Sequence, residues 1–209
     1  MKILLLSPHT DDVEIGCGGT VIKFLELGDN ILWVVFSTAE NSLQADLPRD
    51  TLVKEYLCVI NGLRLNKENY KIFNFPVRDF DEYRQEILEE LVIIEDKFKP
   101  DMVIGPSLKD FHQDHRVVAN EMVRAFKVTS SIICYELPWN HIAFDTQLFI
   151  RLKKQHVDKK CEMLKNYKSQ FTQGRAYFSE EFVRGLAKIR GVQCNSEYAE
   201  AFEVIRWMI

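Results

Sequence analysis

Five short apolar runs recur along the first two thirds of the chain: KILLLS (2–7), ILWVVFS (31–37), YKIFNF (70–75), DMVIGP (101–106) and SIICYEL (131–137). They are apolar nearly throughout instead of alternating, as strands covered on both faces are. Helical patterns lie between them. In 82–98, Ile87, Leu88, Leu91, Ile94 and Phe98 recur at helical spacing and make one face apolar. Strands alternating with helices in this order leave few architectures open, and they predict a mainly parallel sheet with helices on both faces. Right-handed crossovers put every strand-to-helix loop on one edge. Ligands of such sheets bind there, outside the carboxyl ends of the strands.

The fold class expected is therefore α/β and Rossmann-like. The last third reads differently. A long helix is predicted over 145–168 (Phe149, Leu152, His156, Met163, Tyr167), a second near 179–190, and a closing strand in AEAFEVIRW (199–207). No linker, repeat or low-complexity tract divides the chain, so residues 1–209 are expected to form a single domain. A net charge of −4 without a basic stripe argues against nucleic acid and for a small-molecule partner. Five cysteines (17, 58, 134, 161 and 194), odd in number and without a Cys-x-x-Cys pair, suggest reduced thiols. Met1-Lys2 leads directly into the first strand, and no apolar run approaches the roughly 20 residues of a membrane helix. A cytoplasmic protein without a membrane span is expected, with homo-oligomerisation left open.

The loop after the first run holds His9, Asp11 and Asp12, and the loop after the fourth holds SLKDFHQDH, with His112, Asp114 and His115. Desolvated carboxylates are costly unless paired or bound to a metal. The topology brings these two loops to one edge. Val118, Ala119, Met122, Val123 and Phe126 follow His115 at helical spacing, so His115 lies on the core-facing side of a first helical turn. A lone histidine there is ordinarily a core residue bonded to backbone. His115, however, has His112 one turn away and a His-x-Asp-Asp loop facing it. Two histidines and one carboxylate with an open fourth position form a hydrolytic zinc site, which suggests His9, Asp12 and His115 around one zinc ion per chain. Asp11 could then accept a proton from a water acidified by the ion, and His112 could polarise a carbonyl or protonate a leaving amine. Asp114 could orient His112 or His115 and raise the pKa of His112. The acid pair also reads as an ordinary helix N-cap. A calcium loop would want more oxygen ligands and little histidine. Gly16, Gly18 and Gly19 fail the dinucleotide fingerprint and are expected to let the helix pack close to the sheet. Cys17 reads as a small packing residue there, since a redox role would want a resolving cysteine.

PHTDDVEIGCGGT together with HQDH about 100 residues later resembles the LmbE/PIG-L family of zinc-dependent de-N-acetylases. That family includes the deacetylases of glucosaminyl-phosphatidylinositol, mycothiol and bacillithiol synthesis. Fainter similarity extends to KCEMLKNYKSQ (160–170) and RGVQCNSEYAEAF (190–202). The resemblance implies His9, Asp12 and His115 as zinc ligands, Asp11 as general base and His112 as the electrostatic or acid group. The substrate implied is an N-acetyl sugar, of the N-acetylglucosamine kind, or a glycoconjugate. Thr10 and Gln113 stand where many relatives have proline. Family members often carry an arginine near the start of the helix after the second strand; Arg49 is the nearest candidate, although its spacing does not clearly fit. Arg78 and Asp79 could bind sugar hydroxyls or form a surface ion pair. Trp139 could stack on a sugar or plug the core, and His141 beside it could be a polar contact or simply exposed. Two other readings stand beside this one: a zinc amidohydrolase for a nucleotide-linked or other amide, and a metal-free Rossmann-like binding module.

Overall fold

A computed structural model describes residues 1–208. The first five strands are β1 (Lys2–Ser7), β2 (Asn30–Val35), β3 (Tyr70–Ile72), β4 (Met102–Gly105) and β5 (Ser131–Tyr135). The helices between them are α1 (Asp12–Glu26), α2 (Thr51–Gly62), α3 (Arg84–Phe98) and α4 (Gln113–Phe126). The last third supplies β6 (Leu148–Leu152), α5 (Lys154–Leu164), α6 (Lys168–Thr172), α7 (Glu180–Gln193) and β7 (Tyr198–Arg206). All seven strands form one sheet in the order β3-β2-β1-β4-β5-β7-β6. The pairs from β3 to β5 are parallel, and β7 runs antiparallel to both β5 and β6.

The apolar runs are apolar throughout because both faces are covered. On β1, Ile3 and Leu5 pack with Val13 and Val21 of α1, Tyr56 of α2, Val157 of α5 and Val183 of α7. Leu4 and Leu6 face the other way, onto Ile87 and Leu91 of α3 and Val118, Met122 and Phe126 of α4. All four β1 side chains are fully buried, each worth about 1.5–3 kcal/mol relative to exposure.

The sequence expectation fails at 145–168, where a strand and a shorter helix replace one long helix. Residues 148–152 pair with β7 as an edge strand. The spacing of Phe149, Leu152 and His156 imitates a helical stripe, but a five-residue apolar run does not separate helix from strand by periodicity. Helix α5 starts only at Lys154, where His156 Nδ1 accepts the Lys153 N–H at 3.1 Å. It ends where the Asn166 side chain donates to the Met163 carbonyl at 2.9 Å.

Two features of α1 aim its first turn. A Cβ on Gly16 would lie 2.5 Å from the Tyr135 ring, so only glycine lets the helix approach β5 this closely. The helix is also interrupted at Cys17 (φ −147°, ψ 27°). The backbone groups freed there find buried charged partners. Lys160 Nζ donates to the Ile15 carbonyl at 2.6 Å, while Glu200 accepts from the Gly19 and Thr20 N–H groups at 3.1 and 2.6 Å. Lys160 and Glu200 pair with each other at 2.7 Å.

No helix among the described residues is long and apolar enough to cross a membrane. The five cysteines are free.

Candidate active site

Strand β1 pairs with β2 on one side and β4 on the other, while the chain leaves β1 toward β2 and leaves β4 toward β5. The loops after β1 and β4 diverge and open a crevice beyond Ser7 and Gly105, where ligands of such sheets bind. His9, Asp11 and Asp12 stand on one side of it, and Asp110, His112, Asp114 and His115 on the other. The Ser7 hydroxyl donates to the His9 carbonyl at 2.7 Å and accepts the Val13 N–H at 3.3 Å, closing the turn into α1. Asp12 accepts the His9 N–H at 2.7 Å. His112 is the N-cap of α4, its Nδ1 accepting the Asp114 N–H at 3.3 Å.

Both outer imidazole nitrogens are held by buried carboxylates. His9 Nε2–H donates to Asp114 Oδ2 at 2.9 Å and His115 Nδ1–H donates to Asp110 Oδ2 at 2.7 Å. A carboxylate oxygen only accepts, so these contacts fix each ring and turn His9 Nδ1 and His115 Nε2 inward. There they meet Asp12 Oδ2 at 3.2 and 3.3 Å, and each other at 3.2 Å. Tetrahedral zinc with bonds of roughly 2.0–2.1 Å spaces its ligand atoms about 3.3 Å apart. The triangle fits such an ion. The ring nitrogens of His9, His112 and His115 also gather, within 4.8 Å of one another, but that wider set matches the spacing less well than the set with Asp12.

The electrostatics agree with a site for a cation. Burial pulls the His115 pKa down, but the Asp12 charge and hydrogen bonds to Asp110 and Asp12 outweigh it and raise it to about 10. At His9 burial is likewise outweighed, by hydrogen bonds to Asp114 and Asp12, and the pKa rises to about 9. Asp12 is held well below the usual carboxylate range: burial raises it, and the charge and hydrogen bonds of His115 and His9 more than compensate. Asp11 moves the other way, to about 6, through burial and the neighbouring Asp12 charge. His112 is lowered to about 4, by burial first and then by the charges on His115 and His9. Asp114 does favour protonated His112, but its effect is smaller than these.

Three expectations change here. The Asp114 carboxylate orients His9 and is itself braced by the Arg78 N–H at 2.8 Å, while only the Asp114 main-chain N–H reaches His112. His115 is oriented by Asp110, which also accepts the His112 N–H at 2.8 Å and the Asn140 side-chain amide at 3.3 Å. Asp110 was visible in the sequence as an acid two residues before His112. The charged His112 expected from Asp114 is replaced by a neutral ring.

Around this cluster lies a cleft of about 300 Å³, at the small end for ligand sites. His9, Asp11, Asp12, His112, His115 and Trp139 line it, as do Asn140, Gln170, Arg175 and Tyr177. Trp139 stacks flat on Tyr177, with centroids 3.8 Å apart and planes 8° apart. The remaining candidates stand off the cleft wall. Arg49 is exposed ahead of α2. Arg78 turns its guanidinium to the Asn41 carbonyl at 3.5 Å. Asp79 is exposed in the following turn. His141 uses Nε2 to accept the Leu137 N–H at 3.1 Å. Gln170, Arg175 and Tyr177 follow no strand at all, so the rule that points to loops after strands could not find them.

The model of a protein family described as PIG-L, GlcNAc-PI de-N-acetylase, matches residues 4–126, from β1 through α4 and both motif loops. The deacetylase YaiS of Escherichia coli, itself uncharacterized, is 24% identical over 170 residues, covering 80% of this chain and 90% of its own. Among solved structures, the N,N'-diacetylchitobiose deacetylase of Pyrococcus horikoshii superposes with a TM-score of 0.80 at 19% identity, over 98% of this chain and 83% of that one. GalB of Pseudomonas putida KT2440, a 4-carboxy-2-hydroxymuconate hydratase, shares the fold with a TM-score of 0.76 at 18% identity, over 100% and 97% of the two chains. The family match spans more than half of the chain and contains every residue of the carboxylate-braced histidine cluster: the chain belongs to the PIG-L family of deacetylases.

Proposed function

We propose that this protein is a zinc-dependent N-deacetylase, a hydrolase that removes an acetyl or other small acyl group from the nitrogen of an amino sugar or sugar conjugate. The observation that supports it is the triangle of His9 Nδ1, Asp12 Oδ2 and His115 Nε2 with edges of 3.2–3.3 Å, its two rings braced from outside by Asp114 and Asp110. Zinc held by these three residues would supply Lewis acidity toward water and the scissile carbonyl.

The remaining work falls to the chain's own side chains. Asp11 stands beside the triangle without belonging to it, and its raised pKa suits a group that both takes and gives a proton near neutrality. It takes the proton of the attacking water and returns it to the departing amine nitrogen, which would otherwise leave as an amide anion. His112 accepts at Nδ1 from the Asp114 N–H, so its proton sits on Nε2. It acts as a neutral donor to the carbonyl oxygen as charge develops there. Trp139 and Tyr177 give the cleft an aromatic wall suited to the C–H face of one sugar ring. Five free thiols support a reducing, cytoplasmic setting as part of the same reading.

The test is acetate and free-amine release from a panel of N-acetyl sugars, with nucleotide-linked and simple amides as controls. Equal amounts of both products are expected from zinc-loaded protein, and none after chelation. A zinc-loaded enzyme that hydrolyses only the non-sugar amides, or nothing, overturns the proposal.

A further inference from the structure

Arg175 is the one lysine or arginine on the cleft wall among the described residues. It is half-buried, and its hydrogen bonds go to neutral partners. Nε donates to Gln173 Oε1 at 3.0 Å and Nη1 to the Tyr177 hydroxyl at 2.9 Å. It forms no ion pair with any carboxylate among the described residues, Asp11 included. The other half-buried arginines of the last third do. Arg184 pairs with Asp158 at 2.6 Å and Glu180 at 3.2 Å, and Arg190 pairs with Glu136. A guanidinium has five N–H donors, and these contacts occupy two. The rest form part of a planar fork that matches a carboxylate or phosphate.

The fork is also held still. Gln173 and Tyr177 hold it from its own segment, and Tyr177, which fixes Nη1, is in turn supported by lying flat against Trp139 from the loop after β5. Much of the entropy of ordering it is therefore lost on folding instead of on binding. The carboxylate of Asp11, which stands in the same cleft outside the metal triangle, would repel an anion bound near it unless a cation were placed to receive that group. Residue 175 lies outside the 4–126 stretch that carries the metal and proton-transfer candidates, so its role is separate from theirs.

We propose that Arg175 is a specificity residue that receives an anionic group, carboxylate or phosphate, carried on the N-acyl sugar or its aglycone. This deepens the deacetylase reading and rests on it. The preferred substrate is an acidic sugar conjugate, and neutral N-acetyl sugars are poor ones.

The experiment compares three forms of N-acetylglucosamine with zinc-loaded protein: the neutral methyl glycoside, the carboxymethyl glycoside and the 1-phosphate. At least one charged substrate should exceed the neutral one about tenfold or more in kcat/KM, chiefly through KM, as a charge-assisted hydrogen-bonded contact provides. Whichever charged substrate leads identifies the anion. Arg175→Gln should bring the ratio close to one whatever it does to absolute rates, and Arg175→Lys should restore part of it. A wild-type ratio near one overturns the proposal. So does a preference that survives in Arg175→Gln, since the anion would then sit elsewhere, on the metal for instance. Should no substrate be turned over, the deacetylase reading fails by itself. Calorimetric titration with the methyl and carboxymethyl glycosides of glucosamine then decides: an Arg175-dependent affinity gap sustains the anion site, and equal affinities overturn it.

Discussion

Helix α1 meets one nest of buried charge at its first turn and another at the break near its middle, and the two are built on opposite plans. Beneath the break at Cys17, Lys160, Glu200, the Ile15 carbonyl and the Gly19 and Thr20 amides satisfy one another. Each donor has an acceptor, and the group closes on itself. At the first turn of α1, Asp110 and Asp114 satisfy only the outward sides of His115 and His9. The inward sides are left to converge with Asp12 on a single point. Buried charge that closes on itself holds a fold together. Buried charge braced from behind and converging in front is prepared to hold something else.

Breaking the convergent nest should have the largest effect. His115→Ala removes one corner of the triangle, and both metal content and acetate release should fall to background, as metal analysis and the deacetylation assay would show. Asp11→Asn is the sharper probe, because Asp11 stands outside the triangle. It should keep the metal while lowering kcat by about 10²–10⁴, the usual worth of general acid–base catalysis. Loss of metal along with activity would place Asp11 among the ligands and undo the distinction.

The closed nest should respond in stability instead. Lys160→Met leaves Glu200 buried without its cation and the Ile15 carbonyl without its donor, a loss of about 3–5 kcal/mol in denaturant unfolding. In a chain of this size that lowers Tm by about 10 °C. Replacing both partners, as Lys160→Met with Glu200→Gln, should recover part of the loss. If Lys160→Met were neutral for stability yet severe for activity, the contrast between the two nests would be wrong.

How much of this could be read from the sequence follows from the same contrast. The five core strands and the helices between them were legible because each apolar run is covered on both faces. His9, Asp11, Asp12, His112 and His115 stood out because short-range spacing in two loops carries the cluster. The bracing acids were harder. Asp110 and Asp114 lie in the right loop, but which imidazole each one holds depends on the crossing of β1 and β4, which no local pattern encodes. The edge strand β6 was hidden because five residues spaced like a helical stripe do not declare a period. The wall made by Gln170, Arg175 and Tyr177 comes from segments after α5, placed by packing alone.

Intermediate effects belong to the braces. Asp110→Asn keeps the shape but weakens the hold on His115 Nδ1, and Asp114→Asn does the same for His9 Nε2. Each should weaken metal binding by about 10–100-fold, the usual cost of removing such a partner, with the fold intact by circular dichroism. If both variants bound metal as tightly as the wild type, the histidines would be oriented by packing alone.

The smallest effect lies at the far end of α1, where a third cluster of charge meets water. Glu26 accepts from Lys159 Nζ at 2.6 Å, His156 Nε2 at 3.0 Å and Gln155 Nε2 at 3.2 Å. A carboxylate in the last turn of a helix faces the unfavourable end of the dipole. Here the Lys159 hydrogen bond, and then that of His156, outweigh that and lower the Glu26 pKa to about 2. Because the folded-state pKa lies below the ordinary value of 4.5, the contribution to stability is complete above pH 4.5 and disappears as pH falls toward 2. The side chain is 35% exposed, so solvent and salt screen the cluster and its worth should stay below about 1 kcal/mol. Wild type and Glu26→Gln should therefore differ slightly in urea unfolding at pH 6 and converge near pH 2.5, with the difference at pH 6 shrinking in high salt. A gap that widened on acidification would reverse the sign and show that the cluster is held by something other than the Glu26 charge.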